Sequence, residues 1–422
     1  MTGEAAARAE DVARAAYGRL LAILAARDGD IQVAEDCLAD AFAEALSSWP
    51  ETGIPSNPSA WLLAVARNRR QDLRRSAAYR LADPLDEVER DGVLPVVPEL
   101  DPDAIPDRRL ALLFVCAHPA IDPSAHTPLM LQTVLGFDAE RIARAFVVPP
   151  SAMAQRLVRA KRRIRDARIP FVVPERGHMP ARLAPVLEAI YGAYAIDFPL
   201  VAGTEPRGSL ADESHYLATT LADLLPDEPE ALGLAALISL SLARRPARLT
   251  AREFVPLDAQ DCSRWDSELI ALGEGYLHRA RPLGRIGRFQ LEAAIQSVHC
   301  ARASSGVTDW RALRTLHEAL VLIAPTLGAR VANAAAVGRV EGATAGLDVL
   351  DAITDDAACR FQPAWVTRAH LLAEAGCAAE AVQAYERAIS LTTDPAARRY
   401  LERRRSGLLG RDTEALERGD QG

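Results

Sequence analysis

Apolar residues in this chain recur at three- and four-residue intervals, and the alternating β-branched runs that strands require are nearly missing. The two segments that come nearest to a strand are both spoiled: Val93–Val97 is interrupted by Pro95, and Phe171–Val173 is short and flanked by Pro170 and Pro174. Alanine, leucine and arginine are abundant, and all three favour helix. The chain therefore reads as all-α. Its 422 residues are enough for about two to four domains, each large enough to bury a core without disulfides.

Residues 10–48 predict two helices. The second, Ala34–Trp49, carries Leu38, Phe42 and Leu46 as an apolar stripe and Asp36, Asp40 and Glu44 as an acidic one. The stretch 50–58 (PETGIPSNP) is a stiff loop with three prolines. A helix follows from Ser59 or Ala60 to about Ala78. It is apolar early (Trp61, Leu62, Leu63, Val65) and basic late (Arg67, Arg69, Arg70, Arg74, Arg75, Arg80). Residues 81–107 change character, with nine acids, five prolines and one arginine, the composition of an extended linker. Residues 108–169 form a second helical unit that ends in a helix–turn–helix pattern. Phe137–Ala145 is a short helix, 147–150 (VVPP) a turn, and Ser151–Ala167 a second helix with Met153, Leu157, Ala160 and Ile164 on its apolar stripe. Gln155 and a dense set of cations fill the rest of that helix, among them Lys161, the sole lysine of the chain.

Residues 181–410 are again helical, in pairs. Trp365, Ala369, Gly376, Ala381, Tyr385 and Ala388 fit the spacing of a tetratricopeptide (TPR) repeat. Ala312, Leu316, Ala319 and Pro325 form a similar half-repeat, and Gly342 marks another inter-helix turn.

The net charge of −8 averages opposed local terms. Residues 156–168 hold seven cations against one acid, too dense a run for an ordinary solvated face. The six cysteines are scattered, without a CxxC pair or metal-ligand spacing, so no metal site is expected; Cys116-Ala117-His118 reads as a buried cysteine. The amino terminus has no basic segment followed by an apolar one, and no run of 18 apolar residues exists, so neither a signal peptide nor a membrane span is expected, and the protein reads as cytoplasmic. No phosphate-binding glycine loop, HExxH or G-x-S-x-G motif occurs, so the chain does not read as an enzyme, and no cofactor is expected.

This arrangement resembles the extracytoplasmic-function (ECF) sigma factors of the bacterial sigma-70 class. AEDCLADAF (34–42) is similar to the helix of region 2.2. PSAWLLAVARNRRQDLRR (58–75) is similar to regions 2.3 and 2.4, with Trp61, Asn68, Asp72, Arg74 and Arg75 in the expected places. DAERIARAFVVPPSAMAQRLVRAKRRIRD (138–166) is similar to the region 4 helix–turn–helix. DRRLALLFVCAHPAI (107–121), MAQRLVRAKRRIRDARIP (153–170) and DAQDCSRWD (258–266) look like a subgroup whose long C-terminal extension is TPR-like. The resemblance runs over nearly the whole chain. It departs from the family at Ala39 (usually glutamine), Asp40 (usually glutamate), Cys262 (usually arginine) and in IYGAYAIDF (190–198).

The resemblance implies an all-α chain of two small helical sigma domains followed by a TPR-like helical-repeat domain. Its parts are a region 2 domain (1–80), an acidic linker (81–107), a region 4 helix–turn–helix domain (108–170) and the extension (171–422). The implied partners are core RNA polymerase and promoter DNA. Asp36, Asp40 and Glu44 would meet the polymerase, since phosphates would repel them. Ile54, Ser56, Asn57, Arg67, Asn68, Arg69, Arg74 and Arg75 would hold the melted −10 strand, by a base pocket in the loop and a cationic track on the helix. Asn57 reads equally well as a helix cap, and Trp61 as core or as a stacking platform. Ser151, Gln155, Arg156, Arg159, Arg162 and Arg163 would read and grip the −35 element. The acidic linker would thread toward the polymerase cleft.

In the extension, Asp258, Asp261, Arg264, Trp265 and Asp266 are a candidate intramolecular contact to the sigma domains, a structural network, or a capped helix start. The competing reading of the whole chain is a TPR scaffold whose helix–turn–helix is unrelated to sigma factors.

Overall fold

The computed structural model describes residues 16–26, 30–81, 108–146, 148–167, 169, 178–197, 210–250 and 253–419. The acidic linker from residue 82 on, both strand candidates and Arg168 lie outside them, as do the side chains of Arg74 and Arg80. The described residues are helical apart from short turns and one two-residue antiparallel ladder, Leu249–Thr250 with Glu253–Phe254. They fall into two compact units.

The first unit holds α1 (16–25), α2 (Ile31–Thr52), α3 (Pro58–Leu81), α4 (Arg108–Cys116), α5 (Pro123–Thr133), α6 (Ala139–Ala145), α7 (Pro150–Asp166), α8 (Pro180–Asp197) and α9 (Leu210–Leu224). Local chemistry sets the boundaries. Asp30 caps α2 by accepting from Val33 N at 3.1 Å, and Gly53, at φ +86°, ends it. Asn57 Oδ1 accepts from Ala60 N at 3.1 Å at the start of α3. Asp122 and Asp138 cap α5 and α6, and Pro150 opens α7.

The apolar stripe expected on α2 is only half right. Leu38 is buried, Phe42 is half-buried and Leu46 is 50% exposed. A four-residue step advances about 40° beyond a full turn, so 38, 42 and 46 walk off the packed face. The buried set is instead Ile31, Ala34, Cys37, Leu38, Ala41, Ala45 and Trp49, in which steps of three and four keep to one face. This face packs on α3, where Leu62 and Ala66 are buried and Trp61 meets Trp49 edge-on at 5.5 Å between ring centroids.

The helices after residues 82–107 bury Leu110, Leu113, Phe114, Leu129, Met130, Ile142, Met153, Leu157 and Ile164. α1 lies directly on the turn that follows α5: a Cβ on Gly18 would fall 1.7 Å from the Val134 carbonyl oxygen. Only glycine allows this backbone approach.

In the second unit, α10 (Pro229–Leu242) is buried on every side except at Glu230, as its mostly apolar sequence requires, and the buried Ser239 hydroxyl donates to Ala235 O at 2.7 Å. It packs against α11 (Ser267–Ala280) and α12 (Arg288–Cys300). Glu230 turns its carboxylate to the amino end of α12, accepting from Phe289 N at 2.9 Å and Gln290 N at 3.1 Å. After the short α13 (Arg302–Ser305) come α14 (Trp310–Ile323), α15 (Leu327–Glu341), α16 (Ala343–Asp351), α17 (Gln362–Glu374), α18 (Ala378–Leu391) and α19 (Pro395–Gly419), each packed on its neighbour. The residues singled out for a repeat do the packing between α17 and α18: Ala369, Ala381, Tyr385 and Ala388 are fully buried, and Gly376 makes the turn at φ +82°. In the half-repeat, Leu313 and Leu320 are the deepest residues, while Leu316 and Ala319 are only partly buried.

Gly18→Ala should cost about 1–3 kcal/mol, because the Val134 backbone has to withdraw. Gly275→Ala, on an exposed turn of α11 where a Cβ meets nothing, should instead stabilise by about 0.5–1 kcal/mol. Amide hydrogen exchange in α1 and α11 distinguishes the two outcomes.

Candidate nucleic-acid interface

α7 separates its residues cleanly. Met153, Leu157, Ala160 and Ile164 are buried, as their spacing predicts. Ser151, Gln155, Arg159, Arg162, Arg163 and Arg165 are exposed, and Arg156 is half-buried. Arg156 and Arg163 lie along one flank and donate to the backbone: Arg156 to Ser124 O at 3.5 Å, Arg163 Nε to Ala120 O at 3.2 Å. Ser151, Gln155, Arg159 and Arg162 point away from the packed face, which leaves a polar, cationic strip about three turns long. Arg162 lies 3.4 Å from Asp166, an exposed pair of little energetic weight.

Lys161 does not belong to that strip. It is buried and donates to Glu35 Oε2 at 2.5 Å, joining α7 to α2. Its burial was legible: it stands four residues after Leu157 and three before Ile164, on the apolar face. What the sequence does not reveal is the partner, 126 positions away. Burial is the largest influence on Glu35 and raises its carboxyl above the ordinary value against the pull of Lys161. Desolvation therefore offsets much of the attraction, and the pair sets register more than it adds stability.

On α2, Asp36, Asp40 and Glu44 are exposed. Asp36 accepts from Gln32 at 3.3 Å, and Glu44 lies 3.8 Å from Arg69 of α3. On α3, Arg67, Asn68, Arg69 and Arg75 are exposed, with Arg75 4.0 Å from Asp72. Arg70, counted by sequence in the cationic track, is buried instead and donates to the Leu24 carbonyl of α1. Arg70 is buried, as Leu62 and Ala66 are, and its bond to α1 makes it a packing residue. Before α3, Ile54 is half-buried, while Ser56 and Asn57 are exposed. The Asn57 carbonyl oxygen is committed to capping, which leaves its amide N–H groups as the donors it can offer. Trp61 is half-buried against Trp49, mainly a packing residue.

The polar motif at 258–266 is knitted into the second unit. Asp261 caps a short turn by accepting from Ser263 N at 2.9 Å, and Asp266 caps α11 by accepting from Glu268 N and Leu269 N, each at 3.0 Å. Arg264 donates to Leu249 O at 3.2 Å, and Asp258 pairs with Arg339 at 2.6 Å. The organiser is Arg302, which the sequence did not single out. It donates to the carbonyls of Leu257, Asp258 and Gln260 at 2.8–3.0 Å and to Cys262 Sγ at 3.2 Å, with its guanidinium 5.1 Å from the centroid of the buried Trp265 ring. Every partner named lies within the second unit, and the geometry has two capped starts and a network around Arg302.

Among the described residues no group of histidine, cysteine and carboxylate side chains could hold a metal, and no helix is long and apolar enough to cross a membrane. The Cys116 thiol is buried against Thr133 at 3.6 Å, and burial pushes its pKa to about 12.

Glu35→Gln leaves the Lys161 ammonium buried without a counter-charge and should destabilise the α2–α7 contact by about 3–5 kcal/mol; the double variant Glu35→Leu/Lys161→Met should recover most of it. Hydrogen exchange in α2 and α7 measures both. Arg302→Met should likewise speed exchange across 257–266 while leaving α17 and α18 protected.

Residues 12–80, which end with α3, match the sigma-70 region 2 family. Residues 182–281 match a family of unknown function, DUF6596. An uncharacterized protein of Rhizobium meliloti (strain 1021) is 34% identical over 379 residues, covering 88% of this chain and 89% of its own length. No solved structure matches the chain. The paired helices α2 and α3, with acids exposed on one and arginines on the other, lie in the stretch that matches sigma-70 region 2, which supports a sigma-70 family member, and over most of its length the chain belongs to one family with the Rhizobium protein.

Proposed function

We propose that the chain is an ECF-type initiation factor that docks on core RNA polymerase through α2, holds the melted −10 strand with the 54–57 loop and α3, and reads the −35 element with α7. The observation that carries this reading is the segregation of charge across the region 2 helix pair. The exposed acids Asp36, Asp40 and Glu44 sit on α2, and the exposed cations Arg67, Arg69 and Arg75 on α3. One pair of helices then offers a protein partner an acidic helix and a nucleic-acid backbone a cationic one, the two signs meeting where Glu44 lies 3.8 Å from Arg69. The strip Ser151, Gln155, Arg159 and Arg162 on α7 suits a major groove: glutamine pairs bidentately with adenine and arginine with guanine, while the serine end of the helix and the flanking cations, Arg156 and Arg163 included, favour phosphates.

The two elements lie about 25 base pairs apart, roughly 85 Å of duplex at ~3.4 Å per step. In this structure α2 and α7 touch through Glu35 and Lys161. Both elements cannot be engaged in that arrangement, so the reading includes a separation of α7 from α2 on the polymerase. The acidic linker at 81–107 supplies the length for it. The C-terminal helical pairs, of TPR-like packing, present a binding surface that modulates the factor's activity.

Full-length protein and core polymerase should give discrete run-off transcripts from genomic fragments, and failure to bind core polymerase would end the proposal. Asp40→Arg should weaken that binding tenfold or more with the fold intact, measured by fluorescence anisotropy. The free chain, at −8 net charge, should hold duplex DNA only weakly, and core polymerase should unmask promoter-specific affinity. Arg159→Ala should remove that specificity; if promoter choice is indifferent to Arg159, the scaffold reading gains.

A further inference from the structure

The outward side of α7 carries one large apolar side chain. Val158 is 59% exposed. It stands three residues after Gln155 and four before Arg162, within about 60° of both around the helix. A single apolar side chain on a surface is ordinary and by itself means nothing. Here the setting is particular. Valine is among the weaker helix formers, and its branched side chain has a restricted rotamer. Alanine fills neighbouring exposed positions of the same helix, at Ala152 and Ala154. Local stability would be better served by alanine at 158, and the packed face gains nothing from the valine. The major groove displays one apolar group on its floor, the C5-methyl of thymine.

We infer that Val158 is a specificity-determining residue that reads a thymine methyl in the −35 element, flanked by Gln155 on one side and Arg162 on the other. This inference rests on the proposed reading of α7 and sharpens it. The hydrogen-bonding side chains of the strip distinguish bases by donors and acceptors, and Val158 adds a contact that a uracil cannot make. Its stiff side chain loses little rotamer freedom on contact, so the methyl is met at small entropic cost.

The test uses the complex of the full-length chain with core polymerase on a promoter found by run-off sequencing. Each −35 thymine on either strand is replaced singly by uracil, which deletes the methyl and leaves every hydrogen bond in place. Wild type should lose about three- to fivefold in affinity at one position. V158A should bind thymine and uracil duplexes equally at that position, while its helical content and its binding to core polymerase stay as in wild type. Uniform affinity of wild type across all the uracil duplexes overturns the inference, as does a V158A protein that keeps the uracil penalty. In either case promoter-specific transcription still stands, and the proposed function with it. If the complex gives no promoter-specific transcript at all, the functional reading and this inference fall together.

Discussion

The buried pair between Glu35 and Lys161 decides how the first unit is organised. It joins the face of α2 next to the acidic stripe to the buried side of the recognition-helix candidate. The Gly18–Val134 approach makes a second joint between the same two parts, through backbone rather than charge. The two differ in physics. A glycine–carbonyl contact is a packing constraint that tolerates almost no substitution. A buried ion pair with strong desolvation adds little net stability, yet it is expensive to leave half-made. Together they hold the two parts in one register, one through packing and the other through a specific partner.

The same joint explains where the cations of α7 end up. Lys161 is consumed inside and Arg156 and Arg163 lean on the carbonyls of Ser124 and Ala120, so three of the cations in this dense run serve the fold in the free chain. The strip left outward is narrower and more polar than the count of charges suggests. Net charge therefore describes this molecule poorly. What matters is where the charges stand: exposed acids on α2, exposed arginines on α3 that meet them at Glu44 and Arg69, and a polar, cationic strip on α7.

Much of this was legible in the sequence, for identifiable reasons. The caps, the proline-opened helix α7 and the buried stripe of Met153, Leu157, Ala160 and Ile164 depend on neighbours within one or two turns, and local chemistry settles them. The α17–α18 hairpin was legible because small residues at fixed spacing dictate close helix contact. The errors share a cause. Leu46 was placed inside because a four-residue spacing was taken as a straight stripe, although it drifts around the helix. Arg70 and Lys161 were placed outside because charge was read before position, although both stand on apolar faces. Glu230 and Arg302 went unnoticed because their partners are remote: a helix end about 60 residues on for Glu230 and a loop more than 40 residues back for Arg302. No periodicity encodes such a pairing.

Buried charge in this chain thus marks structure. Arg70, Lys161 and Arg302 are cations that a reading by composition would assign to DNA, and each instead ties together segments distant in sequence. Val158 is an aliphatic residue that a reading by composition would assign to the core, and it faces outward among the groups best suited to a groove. The inversion follows from energetics. A charge is buried only where a fixed partner compensates it, which makes it informative about the fold. An exposed apolar group carries no such information about the fold, because nothing buried has to compensate it.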